Sequence, residues 1–136
     1  MSLTSVDLLD ELRAVLEELE SLLAGRIVDI EMSRLRVLAD PMTFRRVFAE
    51  LIGSAVAHSE PPDAITVRVS RTGNAARLEV IDEGGHVAGD GLPDLASAAQ
   101  ALRAMGGEIG TPGPLEPAIW WMTLPLAPGT SSAADA

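Results

Sequence analysis

Between residues 41 and 81 the hydrophobic period of the chain changes once, and that change restricts the fold more than any other feature. Phe44, Val47, Phe48, Leu51, Ile52, Ala55 and Val56 recur at three- and four-residue steps, the spacing that gathers side chains on one face of a helix. Beyond Pro61-Pro62, which ends that pattern, Ile65, Val67 and Val69 alternate with Thr66, Arg68 and Ser70. After a Thr72-Gly73-Asn74 turn, Leu78 and Val80 alternate with Arg77 and Glu79. Alternation on both sides of a glycine turn predicts an antiparallel hairpin. A helix with one apolar stripe, followed directly by such a hairpin, has to bury that stripe against a sheet.

The flanking segments extend this pattern. Thr4 or Ser5 is expected to cap a first helix whose apolar positions run from Val6 to Leu23, with Gly25 ending it and Asp7, Asp10, Glu11, Glu17, Glu18 and Glu20 forming a solvated face. Arg26 to Ile30 and Leu35 to Ala39 read as short strands around a turn. Asp40-Pro41 marks the start of the second helix, because Asp accepts from the exposed first amides and Pro fits the first helical position. A third helix is predicted from near Pro93, with Leu95, Ala98, Ala99, Leu102 and Met105 on one face and Gly106-Gly107 closing it. Glu108 to Gly110 and Ile119 to Leu126 complete the strands, the latter expected to be buried on both faces around Trp120, Trp121 and Met122. The predicted fold class is α+β, a two-layer α/β sandwich with helices on one face of a mixed, mostly antiparallel sheet.

Composition narrows the function. The 136 residues carry a formal net charge of −10, and none is Lys. Nucleic acid is held by clustered Lys and Arg, so ten scattered arginines on an acidic chain exclude it as a partner. The absence of Cys excludes thiol catalysis, thiolate zinc and redox switching, and fits a reducing, cytoplasmic setting. Two separate histidines, His58 and His86, give no ligand cluster, so no metal site is expected. No apolar stretch approaches the roughly 20 residues that span a bilayer, so this segment is expected to be soluble and to make no membrane contact. With Phe44, Phe48, Trp120 and Trp121 as the only large rings, the core must be aliphatic. One domain is expected over residues 1–127, followed by a disordered tail at 128–136.

Several segments, in this order, resemble the ATP-binding domain of histidine kinases, within the wider GHKL group that includes gyrase, Hsp90, MutL-type ATPases and anti-sigma kinases. The second helix of that family reads Asp-Pro, an apolar periodic stretch, then Asn-Leu-x-x-Asn-Ala and a His-Ser end. Here it is Asp40-Pro41 followed by Glu50-Leu51-Ile52-Gly53-Ser54-Ala55-Val56-Ala57-His58-Ser59. The first glycine box is similar to Asp82-Glu83-Gly84-Gly85-His86, and the second to Gly89-Asp90-Gly91-Leu92-Pro93-Asp94 with Met105-Gly106-Gly107 after it. Thr123-Leu124-Pro125-Leu126 resembles the closing strand, and Ser5-Val6-Asp7-Leu8-Leu9 the beginning of the domain, just after the helical dimerisation hairpin. The likeness runs from about residue 4 to residue 127 and implies the Bergerat-like version of the sandwich.

The resemblance implies roles for individual residues. In the family, the two helix asparagines stand beside the triphosphate and hold Mg²⁺, a cation that wants oxygen ligands. Glu50 and Ser54 occupy those two positions, and Asn74, in the hairpin turn, is the only Asn in the chain. A Glu at the first position acts as general base or positions Mg²⁺ in the gyrase-like and anti-sigma branches, so Glu50 is the catalytic candidate. Asp82 takes the adenine-reading position, and Ser54, Gly84, Gly89, Gly91 and Leu92 complete the nucleotide-binding candidates. His86 replaces the second glycine of the first box, and Pro93-Asp94 replaces a Gly-Leu pair, removing a backbone donor and adding charge at the phosphate end. Gly85 to Ala88 alone separate Gly84 from Gly89, where kinases of this type carry a long lid.

Phosphoryl transfer depends on positioning and on neutralisation of charge by Mg²⁺ and basic groups. The departures therefore predict weak or absent turnover: an ATPase-like domain of a two-component sensor kinase or related signalling protein, degenerate in its nucleotide pocket and serving as a protein-interaction module, with no cofactor. A functional pocket would instead take ATP with Mg and rely on Glu50 and Asp82, and an anti-sigma-like binding module is the third alternative. No His precedes His58, so no phosphoacceptor lies ahead of the domain within this sequence. The resemblance implies a response regulator or a histidine-kinase helical dimerisation domain as partner, with a homodimer as a further option.

Overall fold

The computed structural model describes residues 2–25, 27–32, 34–57, 64–86, 95–110 and 117–128. Along the chain they form β1 (Thr4–Asp7), α1 (Leu8–Glu18), β2 (Val28–Met32), β3 (Arg36–Ala39), α2 (Pro41–Ala57), β4 (Ile65–Thr72), β5 (Ala75–His86), α3 (Ala96–Ala104), β6 (Glu108–Gly110) and β7 (Pro117–Pro125). The main sheet has the order β2-β4-β5-β7-β6, with β2 parallel to β4 and the other neighbours antiparallel. This is the expected α+β sandwich, with the helices packed on one face of a mixed sheet.

The core follows from the two periodicities. Phe44, Val47, Phe48, Leu51, Ile52 and Ala55 are all buried on α2, with the Phe44 and Phe48 rings stacked at 6.0 Å. They join Ile65, Val67 and Val69 of β4, Ala76, Leu78 and Val80 of β5, and Trp120, Met122 and Leu124 of β7 in a single cluster. The hairpin turn is the two residues Gly73-Asn74, since Thr72 pairs with Ala75 and Gly73 has a φ of +61°. Closure of α3 by the glycine pair occurs as expected: the Gly106 amide donates to the Arg103 carbonyl at 3.0 Å and the Gly107 amide to the Leu102 carbonyl at 2.8 Å.

Three expectations are corrected. Thr4 and Ser5 do not cap a helix; they lie in β1, which pairs antiparallel with β3, and the cap of α1 is Asp7, whose Oδ1 accepts the Leu9 amide at 3.0 Å. The helix stops at Glu18, with turns through Gly25 in place of two further helical turns. Second, β2 and β3 do not pair around their connection: β2 joins β4, while β3 lies between β1 and Leu126. Third, β7 is buried on one face only. Trp120 and Met122 point into the core, whereas Trp121 lies half-buried on the outer face with the Arg77 guanidinium 4.5 Å from its ring centroid. The stop at Pro61-Pro62, the helix start at Pro93 and the tail beyond residue 128 lie outside the described residues.

Candidate functional site

The site is assembled by α2 and the second half of β5. Asp40 sets the phase of α2, its Oδ1 accepting the Thr43 amide at 3.0 Å. Its Oδ2 accepts the Ser2 amide at 2.9 Å, and these two backbone donors hold the carboxyl below the ordinary aspartate value. The Asp40 amide contacts Met105 Sδ at 3.4 Å, fastening the start of α2 to the end of α3. On the other side, Arg45 ties α2 to Glu11 of α1.

With that phase fixed, Glu50 and Ser54, one turn apart, fall at the margin of the buried stripe. Glu50 is exposed, while Ser54 is 7% exposed and packed inward. The Ser54 hydroxyl donates to the Glu50 carbonyl at 2.9 Å, the back-bond that serines inside helices commonly make. Its single hydrogen is thereby directed to the helix backbone.

Asp82 follows Ala76, Leu78 and Val80 as the next inward position of β5, and it stands opposite Ile65 in the register of the hairpin. It is 5% exposed, a carboxylate set into the aliphatic layer. Burial of a carboxylate is costly unless polar groups compensate it, so such a position marks a place where function or a hydrogen-bond network has displaced a hydrophobe. Thr66, the neighbour of Ile65, is a second buried polar residue in this region. Sequence reading did not single it out, because a Thr between two aliphatics is ordinary strand composition.

Gly84 lies within β5, past the last regular pair of β5 with β7; the register shifts between Ile81 and His86. Gly89, Gly91 and Leu92 lie outside the described residues. The structure thus places Ser54 on α2 and Asp82 on β5, both buried, on elements that pack together, and leaves Glu50 on the outside. Among the described residues, no three His, Asp or Glu side chains group to hold a metal ion. No helix there is long and apolar enough to cross a membrane.

Comparison with known proteins gives the following. The family described as histidine kinase-, DNA gyrase B-, and HSP90-like ATPase matches residues 39–127. No curated protein matches the chain. Among solved structures, the mycobacterial sensor histidine kinase MprB superposes with a TM-score of 0.77 at 18% identity, covering 93% of this chain and 99% of that one. The Acinetobacter baumannii histidine kinase AdeS gives 0.78 at 19% identity, over 93% of this chain and 68% of AdeS. Full-length ShkA, solved in complex with AMPPNP, gives 0.79 at 26% identity, over 96% of this chain and 32% of ShkA.

Proposed function

Because the chain belongs to the family of histidine kinase-, DNA gyrase B- and HSP90-like ATPases, we propose that it is a histidine-kinase-type domain, cytoplasmic, that has given up ATP turnover and works by docking on a partner protein. The observation that carries this is the burial of Ser54. At the helix position where the family places a metal-binding amide, this chain has a shorter side chain, 7% exposed, with its hydroxyl against the Glu50 carbonyl 2.9 Å away. Of the two helix positions only Glu50 offers an exposed oxygen ligand, and Asn74 lies in the hairpin turn at the other end of β5, a poor donor set for a Mg-triphosphate. The short separation of Gly84 from Gly89 supports the same reading, since it leaves too little chain for a lid.

A fold of this kind offers a docking surface without chemistry. The histidine kinase ThkA, whose fold this chain shares at a TM-score of 0.72, was solved in complex with the response regulator TrrA. A response regulator, or the helical dimerisation domain of a kinase, is accordingly the partner we assign; binding of a sigma or anti-anti-sigma factor in its place would favour the anti-sigma-like alternative. The test of the silent pocket is thermal unfolding with and without millimolar Mg-ATP. A ligand that binds only the native state must raise the melting temperature, so an unchanged midpoint is expected and a nucleotide-dependent rise refutes the assignment.

One observation favours a second reading, in which ATP with Mg still binds. Asp82 remains a buried carboxylate at the adenine-reading position, and ShkA, the 26% identical structure, was solved in complex with AMPPNP. On this reading the thermal shift appears and Asp82→Asn abolishes it.

A further inference from the structure

The main sheet ends at β2, and the outer edge of β2 carries no strand among the described residues. Exposed edges are templates for pairing, and proteins ordinarily blunt them with charged side chains, Pro or a bulge. Val28 to Met32 keep continuous register with Ile65 to Val69 without Pro or bulge, and the charges of their sequence, Val-Asp-Ile-Glu-Met, are both acidic. Ile30 is 37% exposed and the preceding Ile27 is 64% exposed, so apolar surface accompanies the free edge.

The charges decide what such an edge can accept. Asp29 and Glu31 share the face of β2 opposite that of Ile30. Asp29 makes no ion pair among the described residues. Glu31 contacts Arg68 at 3.2 Å, but both side chains are about half exposed, and an ion pair of that kind is weak enough to be exchanged. A second copy is disfavoured: antiparallel self-pairing centred on Ile30 would set Asp29 against Glu31 of the other chain twice, and like charges directly opposite destabilise a ladder. The same charges favour a basic strand. From Glu17 to Met32 the sequence has five acids and one Arg, which extends the negative field beyond the edge itself.

We infer that the outer edge of β2 is a docking site for an extended, basic segment of a partner protein, added as a sixth strand with Arg or Lys over Asp29 and Glu31 and aliphatic side chains over Ile30. Main-chain bonds supply the affinity and the alternating side chains the selectivity. The edge lies on the opposite margin of the sheet from β6 and uses neither Glu50, Ser54 nor Asp82, so it is independent of whether the pocket binds nucleotide.

The experiment uses the full chain and an octapeptide of alternating Arg and Val. Hydrogen exchange should slow at Val28 to Met32 on saturation, and an octapeptide of alternating Glu and Val should not bind. Asp29→Lys should weaken binding by about tenfold, and Asp29→Asn by less. Glu108→Lys, on β6 at the opposite edge of the sheet, makes the same change in net charge and should leave binding nearly unaltered. Equal losses for Asp29→Lys and Glu108→Lys would mean attraction by net charge alone and would overturn the assignment. So would protection outside residues 28–32. Protection that rises with protein concentration in the absence of peptide would assign the edge to a second copy and likewise overturn it.

Discussion

Arg45 of α2 grips Glu11 of α1 with two donors, Nε to Oε1 at 2.6 Å and Nη2 to Oε2 at 3.5 Å. The Glu11 side chain is 14% exposed, so this contact is better shielded than the Arg68–Glu31 pair on the outer face. A double-mutant cycle with Glu11→Ala and Arg45→Ala should give a coupling energy of about 1 kcal/mol by urea denaturation. The coupling should shrink in high salt. A cycle that closes to zero would show that apolar packing alone joins the two helices.

Asp40 links the segment ahead of β1 to α2 through the Ser2 and Thr43 amides, which depress its pKa below the ordinary value of 3.8. The unfolded chain therefore binds this proton more readily than the folded one. The contribution is complete above the unfolded pKa and disappears as pH falls through the lower folded value. Asp40→Asn should flatten the loss of stability on acidification below about pH 4, as followed by circular dichroism. An unchanged acid limb would place that loss in other carboxylates.

The glycine pair after α3 should be far less tolerant than the hairpin glycine. A Cβ on Gly107 would lie 2.0 Å from the Thr123 carbonyl oxygen, and backbone cannot move aside cheaply. Gly107→Ala should cost several kcal/mol or prevent folding. Gly73 has open space around it and only its positive φ to oppose a side chain, so Gly73→Ala should cost about 1 kcal/mol. Comparable losses at the two positions in chemical denaturation would contradict the packing described.

The two tryptophans should report separately. Trp120 is fully buried, whereas Trp121 stands half-buried beneath Arg77. Arg77→Ala should increase acrylamide quenching of one emission component while reducing stability by less than about 1 kcal/mol. Quenching that does not respond to the substitution would mean that Arg77 does not shield the indole.

The parts legible in the sequence are those fixed by neighbours along the chain. The α2 stripe, the Asp40 cap, the hairpin turn around Gly73 (one residue shorter than the expected Thr72-Gly73-Asn74) and the closure at Gly106-Gly107 each depend on a few adjacent residues. Partners distant in sequence leave no such local signal. Nothing near Thr4 announces that Val6 will pair with Val37, and this tertiary pairing overrides the capping preference of Thr4 and Ser5. The parallel union of β2 with β4 spans β3 and α2, and cannot be read from either strand. At the site, likeness to a glycine box and not alternation singles out Asp82, and both its burial and the direction of the Ser54 hydroxyl follow from packing between α2 and β5. Trp121 was misplaced because its shielding comes from Arg77 on a neighbouring strand, a polar partner that hydrophobicity alone does not register.

Val37 pairs with Val6 on one side and with Leu126 on the other. Strands lie about 4.8 Å apart, so the segments near the two ends of the described chain run roughly 10 Å from each other, with β3 between them. Both segments run antiparallel to β3, so the first leaves past Thr4 at the Ala39 end and the last past Ala127 at the Arg36 end. Opposed pulls on the two would therefore shear across β3, which a single residue, Asp40, separates from α2.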